Sequence, residues 1–204
     1  MGLDITIPEG ADRFTKYLEQ LTSVIGHADR RTPLHDYCLG LLAADGRKSV
    51  EPMASVTAPA SVSAQHQKLL HFVANSPWSD ARVLAKARDI VVPEIERHGP
   101  IKVWIIDDTS FPKQGEHSVG VKHQYCGQLG KQANCQVAVT LSVANAHASL
   151  PIAYQLYLPK EWAEDAERRK KARVPEEIKF KTKPQIGLAP VSWRVVGLGS
   201  GYLV

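Results

Sequence analysis

Nothing in the 204-residue sequence pairs its cysteines. There are three of them, Cys38, Cys126 and Cys135, and none stands in a Cys-x-x-Cys spacing. An odd, sparse set excludes a disulfide scaffold and a thiolate zinc site, and it fits small buried thiols in a reducing compartment. A long apolar run is also missing, since no stretch approaches the roughly 20 residues that cross a bilayer. The start, Met1-Gly2-Leu3-Asp4, lacks the basic segment and apolar run of a signal peptide. Together these absences predict a cytoplasmic protein. No glycine-rich phosphate loop is present, because Gly197-Leu198-Gly199-Ser200-Gly201 has neither the strand-loop-helix setting nor the lysine. No internal repeat or low-complexity tract stands out. Neither sign of charge dominates. The formal net charge of +4 permits contact with a phosphate backbone without requiring it. What remains is an ordinary globular composition, 44% hydrophobic and 23% charged, in a chain long enough to bury a core.

Residues from Pro8 to about His98 read as helical. Phe14, Tyr17, Leu18, Leu21 and Ile25 recur at helical spacing. Thr32, with Pro33 behind it, predicts the cap of a second helix whose apolar face is Leu34, Tyr37, Cys38, Leu41 and Leu42. A short helix is expected from Ser49, and another from Ser61 or Ser63 that Ser76-Pro77 stops. The last runs from about Ser79 to Arg97, with Pro93 expected to end or kink it early.

The pattern changes at Pro100. Lys102 to Asp108 is a short apolar run ending in two acids, as in a strand buried on both faces. Gly115 to Gly130 reads as a hairpin or irregular loop. Cys135 to Asn145 is β-branched and nearly alternating. Ser149 to Leu158 alternates again, so the two predict an antiparallel pair joined by the tight connection Asn145-Ala146-His147-Ala148. Glu161 to Arg173 is a polar helix in this reading. Lys179, Lys181 and Lys183 form a basic strip. From Ala189 onward the chain turns apolar and Gly-rich.

The sharpest chemical feature is Asp107-Asp108-Thr109 at the expected end of the first strand. A carboxylate at the edge of an apolar core is costly unless it is paired or holds a cation, and hard oxygen ligands suit Mg²⁺ or Mn²⁺. Side chains alternate along a strand, so only one of the two acids can face inward. The plainer reading is an acid that caps the following turn. Lys113 follows in a loop, and Arg168, Arg169, Lys170 and Lys171 make the most basic run. Acids interleave that run, which favours a solvated helix face. Neither Cys126 nor Cys135 has an identifiable base, and His117, His123 and His147 are not at ligand spacing.

Four strings, in order, resemble insertion-sequence transposases with a DDE catalytic core. The first runs from Asp29-Arg30-Arg31 with Tyr37, through Gly40-Leu41-Leu42, to Arg47-Lys48-Ser49-Val50-Glu51-Pro52-Met53-Ala54. The second is Gln65-His66-Gln67-Lys68-Leu69-Leu70-His71-Phe72 with Ser76-Pro77-Trp78. The third, and most specific, is Ile106-Asp107-Asp108-Thr109-Ser110-Phe111-Pro112-Lys113-Gln114-Gly115 with Ser118-Val119-Gly120-Val121 and Gln124-Tyr125-Cys126-Gly127. The fourth is Ala153-Tyr154-Gln155-Leu156-Tyr157-Leu158-Pro159 with Trp162.

The resemblance implies an α+β protein. A helical N-terminal domain over 1–99 would precede an incomplete RNase H-like core over 100–188. That core would have three consecutive, mainly antiparallel strands and a charged helical segment. It also implies DNA cleavage and joining at insertion-sequence ends with Mg²⁺ or Mn²⁺, the first catalytic acid and metal ligand being Asp108 and Asp107 the alternative. The later Asp and Glu of the family are not found, and similarity stops near Leu188. Residues 189–204 are therefore expected to be a divergent, out-of-frame tail of a truncated or frameshifted chain, inactive alone. The expected partner is DNA at the element's terminal repeats, with self-association in addition. Candidate DNA contacts are Arg30, Arg31, Arg47, Lys48, Lys113, Arg168, Arg169, Lys170 and Lys171. A non-catalytic DNA-binding or subunit-pairing fragment is the alternative.

Overall fold

The computed structural model describes residues 8–46, 48–188 and 202–203. The expected divergent tail, 189–204, thus lies outside the described residues apart from two positions, and so does Arg47. The chain forms two compact units, Met1–Ile90 and Val91–Val204.

The first unit is helical: α1 (Pro8–Thr22), α2 (Arg31–Ala43), α3 (Val50–Thr57), α4 (Val62–Ala74) and the start of α5 (Asp80–Arg97). The expected periodicity of the first helix holds, with Leu18 and Leu21 buried on α1 and Ile25 buried just beyond it. The start of α2 differs from the expectation. A 3₁₀ turn at Ala28–Arg30, capped by the His27 side chain, leads directly into α2 at Arg31, so Thr32 lies inside the helix instead of capping it. Two small cores result. Leu21, Ile25, Leu34 and Phe72 pack with Tyr37, Trp78 and Ile90, while Ala44, Met53, Ala54 and Leu69 form the other. The seam between α2 and α3 depends on Gly40, where a Cβ would stand 2.6 Å from the Met53 Cβ. The division between the units falls within α5, which runs past Pro93 without ending there. Proline removes one helical hydrogen bond, but Val92 and Ile95 on either side are both buried.

The second unit is built on β3 (Lys131–Ala144). β1 (Val103–Pro112) pairs with it antiparallel, from Val103 opposite Ala144 to Pro112 opposite Cys135. β2 (Lys122–Cys126) pairs with Lys131–Cys135, and β4 (Ser149–Leu156) pairs with Ala138–Ala144, both antiparallel. Residues of β3 that pair with β1 also pair with β2 or β4, so β1 takes one edge of β3 and the other two strands share the opposite edge. β5 (Tyr202–Leu203) pairs parallel with Val103 and Trp104 of β1. The result is the expected mixed α+β class, with β1, β3 and β4 side by side in one sheet.

Of the two readings of 115–130 the hairpin holds, since β2 pairs with the start of β3 from Cys126 opposite Lys131. Three local readings are corrected. β1 continues through Pro112, which places Asp107 and Asp108 in mid-strand, and Val103–Ile106 are only partly buried instead of covered on both faces. The single polar helix over Glu161–Arg173 is two helices, α6 (Lys160–Glu164) and α7 (Ala166–Lys171). Asp165 breaks the run because its side chain accepts from the Arg168 N–H and caps α7 at 2.8 Å. α8 (Lys183–Gly187) follows, so Lys183 belongs to a helix and not to an extended basic strip.

The sheet's core is Val139, Leu141, Val143 and Ile152 with Val92 and Ile186, and Trp104 and Ile106 lie against it. Trp162 of α6 is 1% exposed, and its indole N–H donates to the Val121 carbonyl at 2.8 Å. Asn145 closes the β3–β4 turn. Its Oδ1 accepts from the His147 and Ala148 N–H groups, and its amide donates to the Ile95 and Gly99 carbonyls.

Candidate active site

Alternation along β1 puts Ile106 and Asp108 on one face and Asp107 on the other. The Ile106 face carries α8. Here Gly187 is required, because a Cβ on it would stand 2.6 Å from the Ile106 Cγ2. Ile186 is 1% exposed and anchors the same short helix in the sheet core. The start of α8 is fixed by a capping box, in which the Gln185 N–H donates to Thr182 Oγ1 and the Thr182 N–H donates to Gln185 Oε1. The first helical residue is then Lys183, and its ammonium donates to Asp108 Oδ2 at 2.7 Å. Ile106, Asp107, Asp108, Val139, Lys183, Pro184 and Leu188 line a cleft of about 480 Å³. The Asp108 side chain is 42% exposed there, so its carboxylate is open to solvent and to a ligand.

Asp107 is differently engaged. Its Oδ1 accepts from the Asp108 N–H at 2.7 Å, and its carbonyl accepts from the Thr140 hydroxyl. The sequence singled out both acids but not Lys183, which lies 75 residues further on.

Of the candidate DNA contacts, four cations are held by the protein's own carbonyls. Arg30 donates to the Ile25 and Pro77 carbonyls, Lys48 to that of Ala44, and Arg169 to those of Ala163 and Pro175. Arg168 donates to the Glu116 carbonyl and lies 3.8 Å above the Trp162 ring. Arg31, Lys113, Lys170 and Lys171 are exposed. The structure brings Arg168, Arg169, Lys170 and Lys171 together on α7, Asp107 and Asp108 on β1, and Lys113 just past the end of β1.

The thiols bear out the plain reading. Cys126 and Cys135 are fully buried, and burial, with Cys126 beside it, pushes the Cys135 thiol up. Burial raises the Cys38 thiol too. A raised thiol is a poor nucleophile at neutral pH. His117, His123 and His147 are exposed. None of the described helices is long and apolar enough to cross a membrane.

A Mg²⁺ ion asks for several hard oxygen ligands in near-octahedral array. Asp107 and Asp108 have the right chemistry but face opposite ways. Among the described residues no group of three or more His, Cys, Asp or Glu side chains is placed to hold a metal ion. The described donor set therefore does not fit a complete divalent-cation site.

A helical unit followed by a sheet whose first strand presents a solvent-open carboxylate in a cleft defines a mixed α+β protein, an architecture consistent with an RNase H-like domain. Residues 19–196 match the family described as DDE superfamily endonuclease, and the chain belongs to that family. It is 34% identical over 120 residues to a protein named as the probable transposase for insertion sequence element IS701 from Microchaete diplosiphon. That alignment covers 59% of this chain, which spans 28% of the relative's length. Endonucleases of this superfamily are in general divalent-metal dependent.

Proposed function

We propose that this chain supplies the helical N-terminal domain and the opening strands of a transposase that cleaves and joins DNA at insertion-sequence ends, with Asp108 as its first catalytic carboxylate. The supporting observation is the Asp108 side chain itself. It is fixed by a strand in the middle of its sheet pairing, open to a cleft, and bound there by a cation instead of by the backbone. A carboxylate that only capped a turn would be used by neighbouring N–H groups. The oxygens described do not suffice to organise metal-assisted chemistry. The 204-residue chain, assayed by itself, is therefore expected to nick element-end DNA no faster than background when Mg²⁺ or Mn²⁺ is added. Metal-dependent cleavage that Asp108→Ala abolishes would overturn the inactivity and keep the role of Asp108. Cleavage that survives Asp108→Ala would overturn that role. A cytoplasmic location goes with this reading.

The exposed cations favour a second reading, a non-catalytic DNA-binding or subunit-pairing role. Arg31 on α2, Lys113 after β1, and Lys170 and Lys171 on α7 are open to solvent and are better placed to meet phosphate than the four cations held by carbonyls. Binding to terminal-repeat DNA that weakens steeply with salt, and weakens further when Lys170 and Lys171 are replaced by Ala, is the expected result. Binding indifferent to salt would remove this reading.

A further inference from the structure

The connection from β1 to β2 is held from behind by side chains that take its carbonyl groups. The Val119 carbonyl accepts from the Gln136 amide at 2.6 Å, the Val121 carbonyl from the Trp162 indole at 2.8 Å, and the Glu116 carbonyl from the Arg168 guanidinium. We propose that residues 113–118 of this connection form a rim that contacts the phosphate backbone of duplex DNA, and that Arg168 is its positioning residue, acting through the Glu116 carbonyl instead of meeting DNA itself. The inference rests on the DNA-binding reading given above and assigns one of its contact surfaces.

The loop is tied down along its length. At its start the Lys113 N–H donates to the Asn134 carbonyl of β3 at 2.8 Å, and near its end the Val121 N–H donates to the Ser118 carbonyl at 3.0 Å. Val121 and Trp162 are 3% and 1% exposed, so the anchor at the far end is buried. Arg168 secures the middle. Its guanidinium lies 3.8 Å above the Trp162 ring, and that stacking fixes the plane from which it donates to the Glu116 carbonyl. A lysine ammonium has neither the plane nor the fork. The carbonyls of Glu116, Ser118, Val119 and Val121 are thus used by the protein's own donors. What the loop leaves exposed are Lys113, Gln114, His117 and Ser118, each able to donate to a phosphate oxygen. The loop's acid, Glu116, shares a cavity of about 230 Å³ with Glu161, Lys122 and Arg168, so the acids there are matched by cations. A surface fixed before contact loses little freedom on binding.

A fluorescein-labelled DNA duplex of mixed sequence is the probe, because phosphate contacts carry no sequence information. Its binding to the 204-residue chain is read by anisotropy over a range of salt. In Lys113→Ala binding should weaken, and the slope of log Kd against log salt should fall by about one. Arg168→Lys keeps the charge, so a direct phosphate contact would keep the slope. A positioning role predicts that the slope falls by about one here too, because Lys113 is no longer held in place. The two losses combined should be smaller than their sum, since both act on one contact. Gln136→Leu frees the Val119 carbonyl without touching α7. It should lower the slope likewise, which guards against a loss of α7 in Arg168→Lys. In the free ¹⁵N-labelled protein the Glu116 and His117 amide shifts should move in Arg168→Lys and stay in place in Lys170→Ala. An unchanged slope in any of the three variants, additive losses, or unmoved amides would each overturn the inference. If Lys170→Ala with Lys171→Ala still weakened binding in that case, the DNA-binding reading would stand without it. Binding indifferent to salt would remove both.

Discussion

Asp36 and Asp108 are both acids paired with a lysine, one in the helical unit and one in the sheet unit, and their surroundings differ. The Asp36 side chain is 19% exposed, and its Oδ2 accepts from the Gln65 amide at 2.9 Å and from Lys68 at 3.2 Å. The same Gln65 amide also donates to Thr57, which ties α2, α3 and α4 together. Asp108 has the Lys183 contact, twice the exposure and a cleft in front of it. The first acid is consumed by the fold, whereas the second is held by the fold and left available. That difference separates a structural carboxylate from a candidate functional one more clearly than the identity of the residue or of its partner.

Several substitutions would break or sharpen this contrast, beginning with the cores that support each acid. Trp162→Ala in the sheet unit and Leu69→Ala in the helical unit, at 1% and 0% exposure, should cost about 3–5 and about 2–5 kcal/mol, read as shifts in denaturation midpoint. If either costs under about 1 kcal/mol, the core assigned to that unit is wrong. Asp36→Ala comes next. It strands part of a buried amide, and a loss of about 1–3 kcal/mol is expected in the same measurement. Gly187→Ala should cost a similar amount, about 1–3 kcal/mol, because the new methyl must push α8 off Ile106. It should also loosen the Lys183–Asp108 pair, visible as altered amide shifts at both residues. Asp108→Ala should change stability by less than about 1 kcal/mol, since a partly exposed ion pair contributes little. If Asp36→Ala proved as harmless as Asp108→Ala, the contrast between the two acids would fail.

The smallest effect is a pH effect. The Cys135 thiol is raised by burial, so the folded state holds its proton more tightly than the unfolded chain does. Its contribution to stability is complete below the ordinary thiol value and is lost as pH rises through the raised folded value. Denaturation midpoints should therefore fall more on going to alkaline pH in the unmodified chain than in Cys135→Ala.

Much of the fold was legible because its signals are local. Alternation of β-branched residues marked β3 and β4, Asn145 marked the turn between them, helical periodicity marked α1, and start and stop residues marked α3 to α5. The misses share a cause. The choice between hairpin and loop over 115–130 stayed open because the five residues of β2, Lys122–Cys126, include no aliphatic side chain and leave three positions exposed. β2 is a strand because β3 extends far enough to pair with it. Thr32 looked like a cap because the 3₁₀ turn that displaces it depends on the Arg30 guanidinium reaching the Ile25 and Pro77 carbonyls. Glu161–Arg173 looked like one helix because charged residues propagate a helix readily. Only the burial of Trp162 and the cap at Asp165 divide it.

The site divides in the same way. The sequence alone determined that two adjacent acids follow an apolar run, that alternation along a strand sends them to opposite faces, and that neither Cys126 nor Cys135 has an identifiable base. Each of these depends on side-chain period or residue type, which neighbouring residues carry. The tertiary structure alone decided that a cleft lies beside the acids, which basic residues are held by carbonyls, and that Lys183 meets Asp108. Those outcomes depend on contacts such as Gly187 against Ile106, made by residues far apart in the chain, and no local pattern encodes a distance across a sheet.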